Sequence, residues 1–392
     1  MPQASSAAGS RVSILSTFVS RTLGHRDYAI DVVRGLAIVG MVLVNHAPPT
    51  DSIYSPLVHA LWNGWTLADT IFPLFLFVVG VSIALAVKRP SREGGAPERE
   101  AYWKISRRTF LLFAIGVALV NFPYFELHKL KLTGVLQHIA LCYMVAALIY
   151  LHTTWRTQFA LIPAIWLVHW ALLGLLDVPG FGAGILTQEA NASRYVDQLL
   201  LGPHSNSLHI ETDIDGVLVT LSSITTTMIG LLTGHWIKSG RDVSTKIAGM
   251  FTAGFALFVL GNVWDLVLPI NKPIWTGSFV ALTAGISLQL LAAGYWIMDF
   301  CGFKAWAKPL QIAGVNALTF YVYAQAIQRI VVFGRIYGED GVPIRLRYVI
   351  YERLFSPWVS GELGALVYAL VYLFFCFAFI ALLYRKNIFI KL

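Results

Sequence analysis

Charge is scarce in this chain. Only 13% of its 392 residues are Asp, Glu, Lys or Arg, and 57% are hydrophobic. Soluble domains carry about 25% charged residues, so a water-solvated globule is excluded and a membrane-embedded chain remains. Cysteine is also sparse. Cys142, Cys301 and Cys376 fall in apolar runs without a metal-ligand spacing, which leaves packing roles and gives no reason to expect a metal. Internal repeats are lacking, which weighs against the inverted-repeat plan of many secondary transporters. The first 26 residues hold no sustained apolar core. They read as a cytoplasmic leader, partly disordered, and not as a signal peptide. Residues 27–392 then form one transmembrane domain.

What the chain has in abundance is long apolar runs. A helix crosses a bilayer with about 20 residues, and stretches of that order lie near 29–47, 67–88, 105–122, 134–152, 158–176, 216–238, 246–268, 276–299, 309–334 and 364–384. The fold class is therefore all-α, a polytopic membrane helix bundle of about ten spans. Lys and Arg near helix ends stay preferentially in the cytoplasm. With both termini cytoplasmic, the inner segments hold 19 of the 29 basic residues, the outer segments 9, and Arg34 lies within the first helix. The formal charge of +8 is thus sorted by side of the membrane, and no nucleic-acid partner is needed to explain it. Two outer connections, 177–215 and 335–363, are long for a compact bundle, a common mark of functional loops.

Polar residues inside apolar helices must find a partner or face water. Asp31 and Arg34 are three apart and share a helix face, while Asn45 lies roughly 16 Å further along the axis. That face offers a cation near the cytoplasm and an amide near the outside; a structural ion pair and an interhelical hydrogen bond would explain the same residues. His59 sits in an outer loop beside Trp62, Asn63, Gly64 and Trp65. By itself a lone His of this kind is more often structural than catalytic.

A resemblance changes that weighting. The segments Asp31-Val32-Val33-Arg34-Gly35, Val44-Asn45, His59 through Asp69, and Phe72-Pro73 are similar to the heparan-alpha-glucosaminide N-acetyltransferase family. The similarity continues through Gly134-Val135-Leu136-Gln137, Asp215-Gly216, Asn271-Lys272 with Trp275, Asn316, Tyr321 and Tyr384-Arg385-Lys386. It covers residues from about 27 to 392. Two positions depart from the lysosomal member of the family: His138 stands in place of Arg, and Ala324 in place of His.

The resemblance implies an acetyl-CoA-dependent N-acetyltransferase that moves an acetyl group from the cytoplasm to the amino group of a glucosamine-like sugar outside the membrane. It places the family's proposed catalytic His on His59 and the Asn before it on Asn45. A neutral imidazole would take the amine proton, and the Asn45 amide would donate to the oxyanion; alternatively His59 is itself acetylated. Donor phosphates call for guanidinium or ammonium groups, for which Arg34, Lys104, Arg107 and Arg108 are candidates. Gln137 joins them on the resemblance alone. The same resemblance suggests Trp62, Asn63, Asp69, Asn271, Asn316 and Tyr321 as substrate-binding. The expected setting is a bacterial inner membrane, with the lipid bilayer and the amino sugar as partners. A homodimer is carried as the assembly option, since dimers dominate symmetric assemblies. The rival function is a sugar or carboxylate transporter with Asp31, Arg34, Asp69 and Asn45 along its path; a noncatalytic membrane partner is a third.

Overall fold

The computed structural model describes residues 27–46, 48, 52–87, 99–205, 215–337 and 343–390. The leader 1–26, the basic residues Lys88, Arg89 and Arg92, and Glu211 and Asp213 of the first long connection lie outside the described residues.

Each of the ten apolar stretches is mostly helical over its described residues. The first five are α1 (Tyr28–Asn45), α2 (Leu67–Ala86), α3 (Arg99–Asn121), α4 (Val135–His152) and α5 (Trp155–Leu175). A short amphipathic helix, α6 (Ala192–Leu201), precedes α7 (Val217–Lys238), α8 (Val243–Trp264) and α9 (Gly277–Tyr295). The chain continues with α10 (Lys308–Val315), α11 (Ala317–Phe333), α12 (Leu346–Leu354) and α13 (Gly361–Arg385). Among the described residues, named strands are confined to two small antiparallel hairpins, β1 (Asp177–Val178) with β2 (Gly182–Ala183) and β3 (Arg335–Tyr337) with β4 (Pro343–Arg345). The protein is an all-α, multi-pass membrane bundle.

Among the described residues, eight helices are long and apolar enough to cross a membrane. The two remaining expected spans differ for physical reasons. α3 begins at Arg99 and carries Lys104, Arg107 and Arg108 in its first half, so only its second half is apolar. The ninth expected span is broken at Asn316, which ends α10 and precedes α11, so neither piece is long enough alone.

α2, α7 and α9 form the centre, with 67–78% of their apolar windows buried, whereas α8 and α13 bury only 22%. Phe255, Val259, Phe374 and Phe375 on those outer helices are exposed, as helices facing acyl chains require. With no water to expel between helices, packing in lipid depends on small residues that let backbones approach. At the centre, a Cβ on Gly80 would collide with the Thr227 carbonyl, and one on Gly230 with that of Phe77. α1 and α10 meet in the same way through Gly35 against Leu310 and Gly314 against Asp31. This second contact fixes Asp31 and Arg34 against the break at Asn316. Gly80→Leu is therefore expected to lose at least about 3 kcal/mol, the upper range for overpacking, because the obstacle is backbone and cannot rotate away. Fluorescence-detected gel filtration after a heat step would show it as loss of the monodisperse peak.

Candidate active site

The loop before α2 is folded onto one carboxylate. Asp69, in the first turn of α2, accepts at Oδ2 from Ala60 N (3.0 Å), Thr66 N (3.0 Å) and Thr66 Oγ1 (3.2 Å). The Thr66-x-x-Asp69 spacing is that of a helix N-terminal box, in which the carboxylate satisfies orphan backbone donors. Its other oxygen faces two side chains from different parts of the chain. His59 Nδ1 lies 2.7 Å from Asp69 Oδ1, and Lys272 Nζ lies 3.2 Å from the same atom. Lys272 Nζ is also 3.1 Å from His59 Nδ1.

Donor and acceptor chemistry settles this triangle. An ammonium only donates, and an ionised carboxylate only accepts. His59 Nδ1 therefore carries a proton and donates it to Asp69, and Lys272 donates to Asp69 rather than to the ring. The carboxylate thus orients the ring through Nδ1–H and turns Nε2 away from it. The His59 side chain is 43% exposed, against 1% for Asp69 and 9% for Lys272, so Nε2 is the accessible basic atom of the group. Burial pushes the Lys272 pKa below its ordinary value, while the Asp69 and Asp215 carboxylates pull it back up.

Lys272 is held by a strained turn. Trp275, fully buried, has φ +50°, a left-handed conformation that is unusual for a bulky residue. Its amide donates to Lys272 O at 3.0 Å, and its ring packs against Phe72, His138 and Phe279. Asn271 Nδ2 donates to Asn63 Oδ1 (3.0 Å) and Gly64 N to Ile270 O (2.7 Å), which stitches this turn to the His59 loop. Trp62 Nε1 donates to Leu186 O at 2.7 Å, tying the loop to the 177–215 connection. Trp62, Asn63 and Asn271 therefore hold the loop in place.

Behind Trp275 lies a second buried group. His138 is paired with Asp215 (Nδ1 to Oδ1, 3.1 Å) and with Ser223 Oγ (Nε2, 2.5 Å). Tyr321 is buried on α11.

On the other side of α1 and α2 a cavity of about 500 Å³ opens near the start of α1. Asp27, Ala86, Arg108 and Ile390 line one part; Met41, Phe75, Leu136, Ile139 and Tyr321 line another. Arg34 lies in its wall, fixed by Asp31 Oδ1 (2.6 Å) and Ser82 Oγ (2.8 Å). Arg108 also lines it and lies over the Tyr143 ring at 4.6 Å. Lys104 instead pairs with Glu100 at the surface (2.6 Å). Arg107 is exposed outside the cavity lining, and Gln137 is buried with its amide on Thr133 O.

Asn45 is exposed at the end of α1, where its backbone carbonyl accepts from Gln328 Nε2 at 2.8 Å. No hydrogen bond joins its amide to His59 or Asp69 among the described residues. Sequence reading named neither Lys272 nor Ser82 as a site residue. For Lys272 a signal was present: it is a basic residue in a short connection on the side assigned few basic residues.

Residues 26–196 match the family model for the heparan-alpha-glucosaminide N-acetyltransferase catalytic region. That match contains Arg34, His59, Asp69, Arg108 and His138, whereas Asp215, Lys272, Asn316 and Tyr321 lie beyond it. The heparan-alpha-glucosaminide N-acetyltransferase of Mus musculus is 29% identical over 365 residues, covering 79% of this chain and 54% of the relative. That of Homo sapiens is 28% identical over 364 residues, covering 78% and 54%. The chain spans about half the length of these curated relatives. The matched region and the relatives' coverage of more than three quarters of the chain show that it is similar to the heparan-alpha-glucosaminide N-acetyltransferases.

Proposed function

We propose that the chain is a transmembrane N-acetyltransferase that passes an acetyl group from acetyl-CoA to the amino group of a glucosamine-like sugar. The observation that carries this reading is the Asp69–His59 pair, a carboxylate-oriented imidazole with its second nitrogen accessible. The cavity suits the donor. Arg34 and Arg108 supply guanidinium groups for phosphate, and the apolar walls beyond them accept an uncharged chain.

The reaction divides between the two regions. The amine nitrogen attacks the thioester carbonyl, the C–N bond forms, and His59 Nε2 takes the proton that the nitrogen must lose. The C–S bond then breaks and the CoA thiolate leaves with its electron pair. Asp69 steadies the imidazolium through Nδ1–H, and Lys272 keeps that carboxylate in place. A purified sample in detergent, given labelled acetyl-CoA and glucosamine, should yield labelled N-acetylglucosamine by mass spectrometry. Hydrolysis of the thioester without sugar acetylation would sink the reading.

The setting is a bacterial inner membrane with both termini in the cytoplasm, on the strength of the basic-residue distribution. The donor cavity then opens inward and His59 lies outward. Single cysteines at Leu61 and Gly240 in a Cys301→Ser background are expected to label from opposite sides with an impermeant maleimide. Labelling of both from one side would overturn the orientation.

A further inference from the structure

We propose that Asp215 and His138 are positioning residues for acetyl transfer: from behind Trp275 they hold Lys272 on Asp69, and so keep the His59 ring turned to its carboxylate. The inference rests on the transferase reading and extends it behind the base.

The need for such support lies in one short distance. Lys272 Nζ is 3.1 Å from His59 Nδ1 as well as 3.2 Å from Asp69 Oδ1. As an ammonium it only donates, which leaves Asp69 as the acceptor for the ring. A neutral amine would carry a lone pair and compete with Asp69 for Nδ1–H. The geometry of the base therefore depends on Lys272 keeping its charge, although its side chain is only 9% exposed and burial favours the neutral form. One carboxylate shared with an imidazole compensates that charge poorly once His59 has taken up the amine proton and the triangle holds a second cation.

Asp215 supplies a further negative charge. It lies just before α7, is buried, and supports the ammonium of Lys272. His138 Nδ1 pairs with Asp215 Oδ1 at 3.1 Å, and His138 Nε2 is anchored on Ser223 Oγ. The same ring stands against Trp275 with centroids 5.5 Å apart and against Phe72 at 5.4 Å. Trp275 N in turn donates to Lys272 O at 3.0 Å. One buried imidazole thus fixes both the carboxylate behind Lys272 and the turn that carries the lysine. Among the described residues, the titratable groups that face Lys272 are Asp69 from α2, His59 from the loop before it, and Asp215.

The pH dependence of kcat tests this on the full chain in detergent, with saturating labelled acetyl-CoA and glucosamine. Activity that needs a charged Lys272 is present below its pKa and lost above it. Asp215 raises that pKa, so removing its charge moves the loss to lower pH. Asp215→Asn keeps the size of the side chain and an oxygen for His138, so a purely structural role survives it. Its high-pH limb should nonetheless move down by about one pH unit, equivalent to about tenfold, with KM for acetyl-CoA unchanged. His138→Phe keeps a ring against Trp275 but loses the anchor, and should move the limb the same way. The sugar amine titrates alike in every variant, so the differences belong to the protein. An unmoved limb in either variant overturns the proposal. Competitive labelling of the unaltered protein with acetic anhydride, read by mass spectrometry, reports Lys272 without variants or turnover. Half-maximal labelling above neutral pH is expected, and half-maximal labelling below it would overturn the proposal. Absence of acetyl transfer by the unaltered protein is a separate result, which would remove the transferase reading and with it the role given to these two residues.

Discussion

His59→Ala is expected to lower acetyl transfer to glucosamine about 10²–10⁴-fold, the range for loss of a positioned general base. The protein should remain folded and able to bind acetyl-CoA. His59 is nearly half exposed in a loop, so its removal opens no large apolar cavity. The donor cavity lies elsewhere and does not include it. Single-turnover transfer by variants of matched thermal stability, with donor binding checked by calorimetry, separates the two effects. Near-normal transfer by a well-folded His59→Ala protein would remove the residue from the mechanism.

Asp69→Asn should approach the same loss through a different cause. With its oxygen in the place of Oδ2, the amide still accepts from Ala60 and Thr66, so much of the loop survives. Its nitrogen, however, cannot accept from His59 Nδ1–H, and the ring is driven toward the tautomer with its proton on Nε2. Where the orienting carboxylate of a catalytic His is replaced in this way, rates fall on the order of 10⁴-fold. Lys272→Met keeps the Asp69–His59 bond and should cost less than Asp69→Asn. A larger loss from Lys272→Met would assign the lysine a direct role toward the acceptor. The comparison is of kcat at saturating donor and sugar.

The helices were legible because the bilayer imposes a length and an apolar composition that any window average detects. The Asp31–Arg34 pair was legible for a related reason, since residues three apart share a helix face, and the bridge forms at 2.6 Å. The break at Asn316 was not. Both flanks are apolar, and a single Asn in such a run looks like an isolated polar point until the fold shows its amide buried and unpartnered among the described residues. Lys104 illustrates a competing local contact, because Glu100 four residues earlier captures it on the same face. Asp69 stood out as a residue of the site, but its role as the partner of His59 required the loop to fold back on the Thr66 box. Lys272 reaches the same carboxylate from 203 residues further along the chain, a contact no local pattern encodes. Asn45, placed in the site by the resemblance, is exposed at the end of α1 with its backbone carbonyl on Gln328.

Acetyl transfer across a sealed membrane tests the central claim most directly. Proteoliposomes sorted for one orientation would carry labelled acetyl-CoA on the side of Gly240 and glucosamine only on the side of Leu61. Labelled N-acetylglucosamine appearing on the Leu61 side, and lost with His59→Ala, is the predicted result. Product formed only when donor and sugar share one side, or unmodified sugar moving across without acetylation, would contradict it.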